Sequence, residues 1–173
     1  MTGRGDLVAG RSAKRQSPTS GLDPPDASAG RKSTERSLAP VAKLRVGVVS
    51  PERELWSGEA DMVIAKTVDG EIGIMPSHAP VLGVLVEGGV LRVKREGQDD
   101  LVAAVHGGFI SVADDEVSIL AEQAELGSEV DVAAARDALE RALASVEADS
   151  ENMEAAAEVR RARARLRAAG EQV

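Results

Sequence analysis

At 173 residues the chain can form one ordinary domain, or a small domain with an appendage. It has no cysteine, which excludes disulfides, thiol catalysis and cysteine-ligated metal, and no apolar run near the roughly 20 residues that span a bilayer. The net charge of −8 argues against a nucleic-acid partner, and with Trp56 and Phe109 as the only aromatics the core must be aliphatic.

Residues 1–40 carry seven Arg or Lys against four Asp or Glu, are rich in Gly, Ser and Pro, and have no periodic apolar pattern. Such a segment cannot bury enough surface to offset its ordering entropy and is expected to be a disordered tail. It lacks the apolar run of a secretory signal, and its four acids without an amphipathic stripe count against a transit peptide.

From 44 to about 126 the apolar period is two. Leu44, Val46 and Val48 alternate with Arg45, Gly47 and Val49 up to a turn at Ser50-Pro51-Glu52. A strand pair over 54–67 is expected to bend near Ser57-Gly58, and strands at 72–75 and 81–86 flank a charged loop. Gly88-Gly89 turns into 90–95, residues 97–100 turn into 101–105, Gly107-Gly108 leads to 109–112, and Asp114-Asp115 turns into 117–121. Many short strands at close spacing indicate an antiparallel two-sheet β-sandwich of about ten strands, over 43–127.

After Gly127 the period becomes helical. Ser128 or Asp131 can cap a helix on which Val132, Ala135, Leu139, Ala142, Leu143 and Val146 form one stripe. A second helix, from Met153 to Ala169, places Ala155, Val159, Ala162, Leu166 and Ala169 on one face and ends at Gly170. An αα-hairpin over 128–170 therefore follows the sandwich.

The densest chemistry lies in Val68-Asp69-Gly70-Glu71-Ile72-Gly73-Ile74-Met75-Pro76-Ser77-His78-Ala79-Pro80. Asp69-Gly70 suits a tight hairpin turn, and the two prolines forbid helix around Ser77-His78. Asp69 and Glu71 have no neighbouring nucleophile, so they read as turn carboxylates rather than a general acid and base. His78 and His106 are too far apart to suggest zinc, and His106, ahead of two glycines, reads as structural. No phosphate-cradling glycine loop is present. Arg160, Arg161, Arg163, Arg165 and Arg167 put five cations into eight helical positions without an intervening acid. That density costs helix stability unless an acidic partner offsets it, and an RNA partner would want stacking aromatics that the chain lacks.

Five segments in order make a resemblance specific. They are Val49-Ser50-Pro51-Glu52 leading to Trp56-Ser57-Gly58-Glu59, Gly70 through Pro80, Gly88-Gly89-Val90-Leu91-Arg92-Val93, His106-Gly107-Gly108-Phe109-Ile110-Ser111-Val112, and Val117-Ser118-Ile119-Leu120-Ala121-Glu122. Over about 43–170 the sequence resembles the ε subunit of the rotary F-type ATP synthase, in its actinobacterial form.

The resemblance implies a non-catalytic subunit of the central stalk with no cofactor. It would grip the γ subunit and the c-ring, turn with both, couple proton flow to ATP synthesis and restrain hydrolysis through its helices. It would lie on the cytoplasmic face of the bacterial plasma membrane, reaching the membrane only through the complex. Asp69, Gly70 and Glu71, with His78, correspond to the c-ring contact. Arg160, Arg161, Arg163, Arg165 and Arg167 would reach acidic segments of the catalytic α and β subunits. Some members bind ATP through Ile or Leu, Asp, two residues, then Arg-Ala. Here Asp131 is present, but the first arginine is Arg136, two residues late and about 200° around the helix. That displacement weighs against a nucleotide site. The competing reading is an independent β-sandwich interaction or ligand-binding module with a helical dimerisation arm; a stand-alone hydrolase ranks below both.

Overall fold

The structure is a computed structural model and describes residues 42–173, so the tail expected over 1–40 lies outside the described residues. Eight strands come first: β1 (Leu44–Val49), β2 (Glu54–Ala60), β3 (Met62–Thr67), β4 (Gly70–Ile74), β5 (Val81–Val84), β6 (Gly89–Lys94), β7 (Leu101–Ala113) and β8 (Glu116–Leu126). Two helices follow, α1 (Val132–Ala148) and α2 (Met153–Ala168). The class is the expected one, mainly β with a terminal helical pair. Among the described residues the strands number eight rather than about ten, in the hydrogen-bonded order β2-β1-β8-β7-β6-β3-β4 with β5 added to β7.

Several details differ from the sequence reading, each for a physical reason. β1 and β8 pair in parallel, against the all-antiparallel expectation. A parallel pair needs a long crossover, and nearly the whole domain lies between these two strands. The bend between β2 and β3 falls at Asp61 rather than Ser57-Gly58, because Gly58 stays paired opposite Val46.

The largest difference concerns Gly107-Gly108, which interrupt one 13-residue strand rather than separate two. Both have positive φ, 68° and 106°, and Gly107 has no ladder partner between the pairs His106–Gln123 and Gly108–Ala121. A Cβ on Gly108 would lie 2.1 Å from the Leu120 carbonyl oxygen, so only glycine fits there. Across this kink the inward phase changes: Ala103 and Val105 face the core before it, Ile110 and Val112 after it. β8 changes phase opposite, from Val117, Ile119 and Ala121 to Ala124 and Leu126. The kink also changes the neighbour on one edge of β7, from β6 over 101–105 to β5 over 109–112. One sheet thereby bends around a single aliphatic core that includes Leu44, Val63, Ile74, Leu91, Ile110 and Ile119.

The hairpin is built on conventional caps. The Asp131 carboxylate accepts the Ala134 N–H at 2.9 Å, and the Asn152 side chain accepts the Ala155 N–H at 2.9 Å. α2 ends as a Schellman motif, with Gly170 at φ 88°, its N–H donating to the Arg167 carbonyl, and the Glu171 N–H donating to the Leu166 carbonyl. α1 packs on α2, and α2 packs on β6 and β7. Of the stripe expected on α1, Ala135 and Ala142 are buried while Leu143 is exposed.

Candidate functional site

The carboxylate turn joins β3 to β4. Its corner is Val68-Asp69, one residue earlier than expected, with Thr67 paired to Gly70. The Thr67 hydroxyl donates to the Gly70 carbonyl at 2.9 Å and accepts from the Asp69 N–H, which fixes the corner without positive φ at Asp69. Gly70 takes φ 131°, so the glycine is needed at the strand start. Asp69, Gly70 and Glu71 are all exposed; among the described residues neither carboxylate forms an ion pair, although Glu71 stands opposite Lys66 in the ladder. Such a turn presents charge on a rigid backbone.

His78 is not part of that turn. β4 separates the two, roughly 13 Å at about 3.3 Å per residue. Its loop is tied elsewhere: Ser77, at φ 66°, donates its N–H to Asp115 of the β7–β8 turn at 2.5 Å. The His78 N–H donates to the Met75 carbonyl at 3.1 Å, and its Nδ1 lies 2.7 Å from the Ala79 carbonyl. The ring is thus held locally.

Sequence reasoning missed an apolar patch on the outer face of the sheet. Val84, Phe109, Leu120 and Val49 occupy one cross-strand row, and Leu82 lies beside Val84 on the same face. Leu82 is 71% exposed, Leu120 54%, Phe109 50% and Val84 44%. Ser111, Ser118 and Gly47 continue the adjacent row as a flat shelf. The signal was available: Phe109, the one phenylalanine, stands in the phase opposite Ile110 and Val112. A patch of this kind marks an interaction surface.

The arginines divide by partner. Arg160 and Arg161 both pair with Glu87, and Arg161 also meets Glu154 and Glu158 on its own helix. Arg165 makes a two-pronged bond to Glu125, 2.6 Å from Nε and 3.3 Å from Nη2. Arg167 donates to the Val173 carbonyl at 3.0 Å. Arg163 is exposed and has no ion-pair partner among the described residues. The Glu158 carboxylate, with further help from Glu154 and Glu87, raises the Arg161 pKa, and Glu125 raises that of Arg165. The acids offsetting the cation density therefore include two of the chain's own sandwich residues, Glu87 and Glu125.

Asp131 and Arg136 are not brought together. The first caps α1, and the second pairs with Glu171 beyond α2. Between hairpin and sandwich runs a cleft of about 360 Å³, whose lining includes Glu52, His106, Glu125, Glu158, Arg161 and Arg165. Burial lowers the His106 pKa first, Arg161 and Arg165 lower it further, and Glu87 and Glu125 oppose them. Among the described residues no cluster of three or more His, Cys, Asp or Glu is placed to hold a metal, and no helix is long and apolar enough to cross a membrane.

Residues 43–127 match the family model of the ATP synthase Delta/Epsilon chain β-sandwich domain. The ATP synthase epsilon chain of Thermobifida fusca is 57% identical over 134 residues, covering 76% of this chain and 96% of that one. The chain belongs to the ATP synthase ε-chain family. The epsilon chain of Mycobacterium avium is 48% identical, covering 75% of this chain and 98% of that one. A chain of the cryo-EM structure of the Euglena gracilis mitochondrial ATP synthase OSCP/F1/c-ring assembly superposes with a TM-score of 0.65 at 21% identity, over 87% of this chain and 91% of that one. At that identity the likeness concerns the fold. The matched β domain contains both the carboxylate turn and the apolar patch, and it excludes α1 and α2.

Proposed function

We propose that this chain is a non-catalytic rotor subunit of a proton-translocating ATP synthase, seated at the foot of the central stalk on the cytoplasmic face of the plasma membrane. The observation that carries the reading is the exposed apolar patch of Leu82, Val84, Phe109 and Leu120 on a family sandwich. An aliphatic and aromatic row beside a flat shelf of Ser and Gly suits a large, permanent protein contact, which we assign to the γ subunit. The turn Asp69-Gly70-Glu71 is assigned to the c-ring, where preordered carboxylates lose little entropy on pairing with basic loops. His78, across β4, is assigned to a separate part of the stalk contact.

The hairpin is the restraining arm, and the docked form is its resting state. In this form Arg160, Arg161 and Arg165 are committed to Glu87 and Glu125. Reaching acidic segments of the α and β subunits requires α2 to leave the sandwich first, so that those two carboxylates and the catalytic head compete for the same cations. Nucleotide is not part of this reading, because Asp131 and Arg136 are engaged separately.

The test is assembly. Phe109→Glu with Leu82→Glu should leave the isolated chain folded, since both side chains are exposed, and abolish co-purification with the γ subunit. Asp69→Lys with Glu71→Lys should assemble but weaken coupling of proton transport to ATP turnover. Retained co-purification of the Phe109/Leu82 variant would overturn the γ assignment. A wild-type chain that purifies only as a free homodimer would favour the dimerisation-arm reading.

A further inference from the structure

One buried titratable group is left without a role by the stalk reading. His106 is 9% exposed and sits on β7 just before the Gly107-Gly108 kink. It shares the phase of Ala104, which packs against Ala164 of α2, so its ring is directed toward the hairpin rather than the core. It lines the cleft with Arg161, Ala162 and Arg165 of α2. Its Nδ1 is buried without a hydrogen-bond partner.

The charged groups around it come from every neighbouring element: Glu87 before β6, Glu122 and Glu125 on β8, Glu52 after β1, and Glu158, Arg161 and Arg165 on α2. Glu87 and Glu125 are already bonded to Arg161 and Arg165. A neutral ring with its proton on Nε2 leaves Nδ1 as a mere lone pair, the inexpensive way to bury it. A protonated ring puts an unanswered Nδ1–H into the same space, beside two guanidinium groups.

We propose that His106 is a pH-sensitive latch on the hairpin: protonation of its ring loosens α2 from the sandwich. The rest of the interface is thin enough for one charge to matter. Its apolar part is Ala164 and Ala168 against Ala104, Val90 and Val102. Released, the ring is solvated and titrates near its ordinary 6.5; docked, it titrates lower, because burial and the arginines disfavour the cation. Docking is therefore at full strength above about 6.5 and weakens as pH falls through the window between the two values. The docking constant falls about tenfold for each pKa unit that separates them. The latch does not depend on what the released hairpin goes on to do.

The test uses the full chain alone, so its outcome is independent of the stalk assignment. The absence of cysteine allows spin labels at Glu59→Cys on β2 and Arg163→Cys on α2, both exposed positions. Between pH 7.5 and 5.5 the long-distance, released population should rise by about threefold or more, and in a His106→Gln background it should stay flat. An equal rise with glutamine, or no rise with histidine, overturns the latch. If glutamine releases the hairpin at both pH values, the His106 ring resonances of the unmodified chain decide. A titration midpoint below 6.5 supports the latch, and one at or above 6.5 overturns it.

Discussion

The sandwich and the hairpin are held by different physics. The sandwich encloses buried Leu, Ile and Val from six of its eight strands in one core, with Leu44, Val48, Val63, Ile74, Val93, Ile110, Val117 and Ile119 at 0% exposure. Fully burying such a side chain contributes about 1.5–3 kcal/mol. The hairpin rests on the sandwich through alanines and through ion pairs from Arg160, Arg161 and Arg165. Leu166 is the one large aliphatic side chain of α2 that is fully buried. Alanine seams allow close approach but remove little area from water. A contact of that kind can open while the sandwich stays closed, which is what a releasable arm on a fixed platform requires.

Substitutions separate the two regions in graded ways. The largest effect belongs to the core: Ile110→Ala should destabilise the whole domain by about 2–5 kcal/mol, seen as one cooperative transition at lower temperature. Next comes the close approach of α2. A Cβ on Gly127 would lie 2.0 Å from the Ala168 carbonyl oxygen, and Gly127 does not need positive φ. Gly127→Ala should therefore push α2 away at a cost of about 1–3 kcal/mol to docking. Amide protection over α2 would drop while the core strands keep theirs. Loss of protection in both would show that the two units are not separable.

The smallest effects sort the arginines. Glu125→Gln removes the charge opposite Arg165 and should weaken docking by about 1 kcal/mol, an effect that high salt reduces. Arg163→Ala should change docking by less than about 0.5 kcal/mol, because that side chain is exposed. Equal effects of the two, followed by amide protection over α2, would mean that the ion pairs contribute only general charge.

How much of this was legible in the sequence depends on the range of the interaction. Alternation at Leu44, Val46 and Val48 is a local pattern that reads directly, and helical capping narrows to Ser128 or Asp131, of which Asp131 is the cap. Gly107-Gly108 reads as punctuation in the sequence, but a phase change inside one strand and a turn between two leave the same glycine pair. The parallel β1–β8 pairing was not legible, because a strand's own alternation does not name its neighbour. The arginine run is visible in the sequence, but its partners Glu87 and Glu125 lie 74 and 40 residues from Arg161 and Arg165 respectively, beyond any local rule. His78 and the Asp69–Glu71 turn are close in sequence and far apart in space, because an extended strand between them spends every residue on distance.

A hairpin that opens independently of its sandwich leaves a signature in native-state hydrogen exchange of the full chain at pH 7.5. Two opening free energies are expected. Amides of 153–168 should exchange through a local opening cheaper by at least about 2 kcal/mol than the one that exposes 103–106 and 109–112. One shared opening energy, with both segments exchanging only through global unfolding, would contradict it.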